Sequence, residues 1–161
     1  MTGPSDRVGV LFVCLGNICR SPLAEGIFIH LARERGVLDR LDIDSAGTGG
    51  WHGGNRADPR SIAVAHKHGI ELPSRARMFE HGAREAERFP GLIAMDKQNQ
   101  REMINRGAPR ENVHLMLSFH PSPPTDEVPD PYYGGDDGFD RVYEMLVGAC
   151  EGLLGRVTSP A

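Results

Sequence analysis

Apolar and polar positions along this chain fall into blocks that switch between two periods. Arg7 to Cys14 (RVGVLFVC) is an almost continuous apolar run rich in β-branched residues, which predicts a strand covered on both faces, as in a parallel sheet. The run stops at Leu15-Gly16-Asn17. From Pro22 to Arg35 the apolar residues Leu23, Ile27 and Leu31 recur at i, i+4 and i+8; Pro22 suits a first turn and Gly36 a stop, so the spacing predicts a helix. The alternation then repeats. Leu41 to Ala46 predicts a strand, and Asp58-Pro59 a cap and first turn for a helix ending at His68, before Gly69. Gly91 to Met95 and Asn112 to Leu117 predict two short buried strands, with a helix over about Asp96 to Arg106 between them. Ser118 to Tyr133 holds five prolines and is expected to be a long loop. A last helix is predicted from about Gly138, with Phe139, Val142, Met145, Leu146, Ala149 and Leu153 as its inner face.

Strands alternating with helices define an α/β class: a single domain over residues 1–161, with a parallel sheet of about four strands flanked by helices on both faces. About the first six and last five residues are expected outside the ordered fold. With 161 residues, 39% of them apolar, the chain can bury one substantial core. Its net charge of −4 and pI near 6.0 argue against a nucleic-acid partner held by a broad positive surface, so any anion must be held locally. No apolar stretch approaches the roughly 20 residues of a membrane span, and the first residues lack the pattern of a signal peptide. No membrane partner is expected, and the expected location is the cytoplasm. The three cysteines, Cys14, Cys19 and Cys150, are an odd number and too few for a disulfide scaffold, which points to at least one working thiol.

The first loop gives that thiol a context. Open parallel sheets bind ligands beyond the carboxyl ends of their strands, and the helix after the first strand offers free N–H groups there. Cys14-Leu15-Gly16-Asn17-Ile18-Cys19-Arg20-Ser21-Pro22 therefore reads as an anion cradle, with Gly16 and Asn17 best able to adopt a left-handed backbone. Arg20 supplies a planar fork for two phosphate oxygens. A cysteine at a helix N-terminus beside an arginine favours the thiolate, which makes Cys14 an in-line nucleophile for phosphorus. Ser21 is placed to donate a hydrogen bond to its sulfur.

VCLGNICRSP resembles the signature loop of the low-molecular-weight protein tyrosine phosphatases. The resemblance continues through DSAGTGGWH after the second strand, HGI at His68 to Ile70, AMDKQN at Ala94 to Asn99 and DPYYG at Asp130 to Gly134. It implies hydrolysis of phosphotyrosine monoesters through a phosphocysteine, with no cofactor and no metal. The partner it implies is a phosphotyrosine-containing protein; inorganic phosphate and other oxyanions are expected inhibitors, and the working form is expected to be a monomer.

Carried onto this chain, the family pattern makes Cys14, Arg20 and Asp130 the catalytic residues, with Asp130 first an acid toward the leaving group and then a base toward water. Leu15, Gly16, Asn17, Ile18, Cys19 and Ser21 would hold the phosphate. Leu15, Trp51, Tyr132 and Tyr133 would wall a slot for an aromatic ester, and Asn17, Ser45 and His68 would brace the loop from below. Asp96 to Asn99 is read as structural support, without chemistry. Asp126, Glu127, Asp136 and Asp137 compete with Asp130 for the acid role, but only Asp130 has the Pro-Tyr context. His66 and His68 stand at i and i+2 and share no helix face, which argues against a metal site.

Two alternatives belong to other classes. An arsenate-reductase-like enzyme shares the cradle but needs two further cysteines in mid-chain, and none lies between Cys19 and Cys150. A redox-switched phosphopeptide-binding module is the other, since Cys19 stands five residues from Cys14 and a reversible disulfide between them would protect the nucleophile.

Overall fold

The computed structural model describes residues 7–49, 53–72, 75–131 and 136–159. Strand β1 (Val8–Cys14) leads through a short loop into helix α1 (Arg20–Glu34), and β2 (Leu41–Gly47) follows a single 3-10 turn. Helices α2 (Pro59–Lys67) and α3 (Gly82–Arg88) precede β3 (Gly91–Ala94), then come α4 (Lys97–Asn105), β4 (Val113–Leu115) and α5 (Asp136–Thr158). Within the four-stranded sheet the strands pair in parallel, in the order β2-β1-β3-β4, with Phe12 opposite Ser45 on one side and Ile93 on the other.

Alternate residues of β1 feed two separate cores, as a strand buried on both faces must. Val10, Phe12 and Cys14 pack with Leu23, Ile27 and Phe28 of α1 and with Phe139, Leu146 and Leu153 of α5. Leu11 and Val13 face the other way, against Phe79, Phe89 and Met103. Chain order reverses across the sheet at β1, because the chain steps to β2 on one side and later to β3 on the other. The loop after β1 thus opens at the switch point where α/β sheets take their ligands.

Differences from the expected elements are local. Helix α3 was not expected: its sequence GAREAER has no apolar face beyond two alanines. Strand β4 is shorter than Asn112 to Leu117 because Met116–Phe119 tightens into a 3-10 turn. Helix α5 starts at Asp136 and continues to Thr158, further toward the end of the chain than expected. The Asp58 cap holds as read, its carboxylate accepting from the Arg60 amide at 2.8 Å with Pro59 in the first turn. No helix among the described residues is long and apolar enough to cross a membrane.

Candidate active site

Cys14 ends β1 and Arg20 begins α1, so five residues, Leu15 to Cys19, make the turn between strand and helix. Two bonds pin its entry: the Thr48 amide donates to the Cys14 carbonyl at 3.0 Å and the Gly49 amide to Leu15 at 2.7 Å. Gly47 at the tip of β2 lies directly beneath. A Cβ there would stand 2.9 Å from the Asn17 nitrogen and from the Leu15 oxygen, so only glycine lets the loop settle on the sheet. Of the two residues suited to a left-handed backbone, Asn17 takes it, at φ 57°, and Gly16 does not.

The Asn17 side chain fixes the proton order under the loop. Its Oδ1 accepts from the Arg77 backbone N–H at 2.9 Å, a group that can only donate, so its Nδ2 must face the two hydroxyls. Nδ2 donates to Ser21 Oγ at 2.8 Å and to Ser45 Oγ at 3.0 Å. Ser45 is then left to donate its own proton, which goes to Glu25 Oε1 at 2.7 Å. Ser21, already an acceptor from Asn17, has two acceptors within reach of its single proton, Cys14 Sγ at 3.0 Å and the Ala46 carbonyl at 3.4 Å, the sulfur being the nearer. Asn17, Ser21, Glu25 and Ser45 are all buried, in a low-dielectric setting that favours such a chain. Its effect is to hold the Ser21 hydroxyl in place beside the sulfur.

Around that sulfur the backbone holds unused donors. Among the described residues, no amide N–H from Leu15 to Arg20 finds an acceptor in the chain, although Asn17, Ile18, Cys19 and Arg20 are buried. Buried amides ordinarily do find one. Five turning residues and a helix N-terminus with their donors kept open have the chemistry to hold an anion.

The guanidinium of Arg20 is only 2% exposed and is aimed by two contacts across the sheet. Nη1 donates to Asp96 Oδ2 at 2.7 Å and to the Val128 carbonyl at 2.9 Å. Burial opposes its charge, but the Cys14 sulfur, Asp96 and Asp130 together outweigh that and hold its pKa above the ordinary arginine value. Asp130, whose side chain is 32% exposed, brings Oδ2 to 3.7 Å from Arg20 Nη2, so the structure does gather Cys14, Arg20 and Asp130 at one place.

Three more contacts set the Asp130 segment. The Val128 amide donates to the Met95 carbonyl at 2.9 Å, Glu127 Oε2 accepts from the Lys97 amide at 2.7 Å, and Lys97 Nζ reaches Asp126 at 3.4 Å. Asp126 and Glu127, considered for chemistry from the sequence, instead tie the loop to α4. Asp96, read as support only, both caps α4 through the Asn99 amide and orients Arg20. The signals available for it were its helix-start position and the AMDKQN string. Glu25, inside an ordinary helical stretch, gave none.

The bracing role expected of His68 does not match its position. Helix α2 presents its start to the loop, with the Asp58 amide donating to the Ile18 carbonyl and Ser61 Oγ to the Cys19 carbonyl. Nine residues at about 1.5 Å each set His68 roughly 14 Å along the helix from that start. There it is exposed and stacks on Tyr143, with ring centroids 4.0 Å apart. Leu15 is half-buried at the loop. Trp51, Tyr132 and Tyr133 lie outside the described residues. Cys14 and Cys19 are both free thiols. Burial, then the charges of Asp58, Cys14 and Asp130, push the Cys19 thiol well up, which keeps it protonated.

These features define a parallel α/β protein with a cysteine-and-arginine anion loop at its switch point. The family model described as low molecular weight phosphotyrosine protein phosphatase matches residues 9–160. The chain is 44% identical over 154 residues to the low molecular weight protein-tyrosine-phosphatase of Streptomyces coelicolor, covering 92% of each. A solved protein tyrosine phosphatase of Entamoeba histolytica, with Hepes in its active site, superposes with a TM-score of 0.88 at 37% identity, over 93% of this chain and 96% of that one. A Drosophila arginine phosphatase superposes with a TM-score of 0.84 at 31% identity, over 94% and 99%. The chain belongs to the low molecular weight phosphotyrosine protein phosphatase family, a family of hydrolases.

Proposed function

We propose that the protein hydrolyses phosphotyrosine in protein substrates in two steps at Cys14, without a metal. The observation that carries this reading is the row of unused amide donors from Leu15 to Arg20 in the loop that bears the Cys14 sulfur. In the first step the thiolate attacks phosphorus, the bond to the tyrosyl oxygen breaks, and Asp130 gives its proton to that oxygen. The product is a phosphocysteine, its oxygens held by Arg20 and the loop amides. In the second step Asp130, now a carboxylate, takes a proton from water as the water attacks phosphorus. The sulfur–phosphorus bond breaks, inorganic phosphate leaves, and the thiolate is restored.

The arsenate-reductase alternative lacks an electron path, since the third cysteine, Cys150, is fully buried with its sulfur against the Ala24 carbonyl. Likeness to an arginine phosphatase makes the leaving atom the point to test. Reduced protein with excess EDTA is expected to turn over a phosphotyrosine peptide and to leave phosphoserine and phosphoarginine peptides largely intact. Turnover that requires a divalent cation, or that favours phosphoarginine, would contradict the reading.

The Glu127 contact gives a further expected result. Glu127→Ala removes a charge-assisted hydrogen bond from the segment that carries Asp130, which we expect to slow phenyl phosphate by about tenfold. With 2,4-dinitrophenyl phosphate, whose leaving group needs no proton, the first step should hardly change. Equal slowing of both substrates in single-turnover measurements would show that Glu127 supports the fold rather than the acid.

A further inference from the structure

Five arginines stand on the phosphate loop or within two residues of a residue bonded to it, and three of them are already neutralised. Arg20 pairs with Asp96, Arg60 forks Asp58 through Nε and Nη2, and Arg77 meets both Asp44 and Glu85. Arg56 and Arg75 do not. Both are exposed, and among the described residues neither meets a carboxylate; the only side-chain bond of Arg75 is to the Gly54 carbonyl, at 3.2 Å.

The backbone sets these two charges against each other. Arg56 and Arg75 are partners in an isolated antiparallel bridge. The Ala76 amide donates to the Asn55 carbonyl at 2.7 Å, one residue to the side of the pair, which makes this the close, non-hydrogen-bonded kind of pair with both side chains on one face. Their Cβ atoms then stand about 5 Å apart, a spacing at which like charges repel. A chain of net charge −4 has carboxylates to spare, yet among the described residues none is paired with either arginine.

Position adds the second argument. Arg56 is two residues before Asp58, whose amide donates to Ile18 at 2.7 Å, and Arg75 is two residues before Arg77, whose amide donates to Asn17 at 2.9 Å. Both arginines are thus about 7 Å of chain from a residue bonded to the phosphate loop. A residue one to three places from the phosphotyrosine of an extended peptide spans a comparable length of chain, about 3 to 11 Å. A carboxylate there would relieve the repulsion and accept from both guanidinium groups.

We propose that Arg56 and Arg75 form an anion subsite beside the phosphate loop, which binds an acidic side chain flanking the phosphotyrosine of a protein substrate. The proposal rests on the phosphotyrosine reading of the site. Two phosphotyrosine peptides that differ only in glutamate or alanine beside the tyrosine test it, each kcat/KM being divided by that for p-nitrophenyl phosphate, which has no flanking residue. At low salt the native protein is expected to favour the acidic peptide by about three- to tenfold, and less so as salt screens the exposed charges. The preference should vanish in the Arg56→Ala/Arg75→Ala double variant, and Arg56→Glu/Arg75→Glu should favour a lysine-flanked peptide instead. A native protein that treats both peptides alike, or a double alanine variant that keeps the preference, overturns the subsite alone. If neither peptide is hydrolysed while p-nitrophenyl phosphate still is, the phosphotyrosine reading falls and the subsite with it.

Discussion

Replacing Cys14 with serine is expected to lower turnover by about 10⁴-fold or more while leaving phosphate binding near that of the native chain. The reason lies in what surrounds the sulfur. Ser21 is poised to donate to it at 3.0 Å, Arg20 is a cation, and the loop amides from Leu15 to Arg20 are donors. All of these are donors or a cation, and none can take a proton from an alcohol. A thiol is far more acidic than an alcohol, so a serine hydroxyl in its place stays neutral. The cradle itself is backbone and guanidinium, so phosphate measured by titration calorimetry should still bind the variant. A Cys14→Ser protein that keeps a tenth of native activity would require a different nucleophile.

Asp130→Asn is expected to cost about 10² to 10⁴-fold in kcat on phenyl phosphate, the range associated with a positioned acid. Asparagine keeps the shape of the side chain but can neither protonate a departing oxygen nor accept a proton from water. The two steps should therefore separate with the leaving group. A phenol needs the acid and its first step should slow severely; 2,4-dinitrophenol leaves as an anion, so its first step should remain fast and the later hydrolysis become limiting. A uniform loss across leaving groups would assign Asp130 to holding Arg20, from which it stands 3.7 Å, instead of to proton transfer.

How much of this was legible in the chain depends on the distance over which each feature is encoded. The first strand, its loop and the following helix are local. A continuous apolar run needs cover on both faces, Asn17 tolerates the left-handed turn, and Pro22 fits a first helical turn, so residues 8–34 could be placed from neighbours alone. The pairing of Arg20 with Asp96 and Val128 was not legible, because it joins positions 76 and 108 residues apart that only the sheet brings together. Glu25 shows the same limit in another form. A glutamate in a helix ordinarily reads as a solvated face, yet here α1 crosses the sheet so that Glu25 sits buried under Ser45. His68 failed for the opposite reason: its motif was correctly placed at the end of α2, but the helix runs away from the loop. A residue type in a familiar string gave no direction in space.

The most direct test is to look for the covalent intermediate. Asp130→Asn protein mixed with 2,4-dinitrophenyl phosphate, quenched within one turnover and digested, should yield the peptide containing Cys14 with the mass of one added phosphoryl group, and the label should be absent when Cys14 is serine. A label on Cys19 or another residue, or phosphate released with no labelled peptide at any time, would contradict the account.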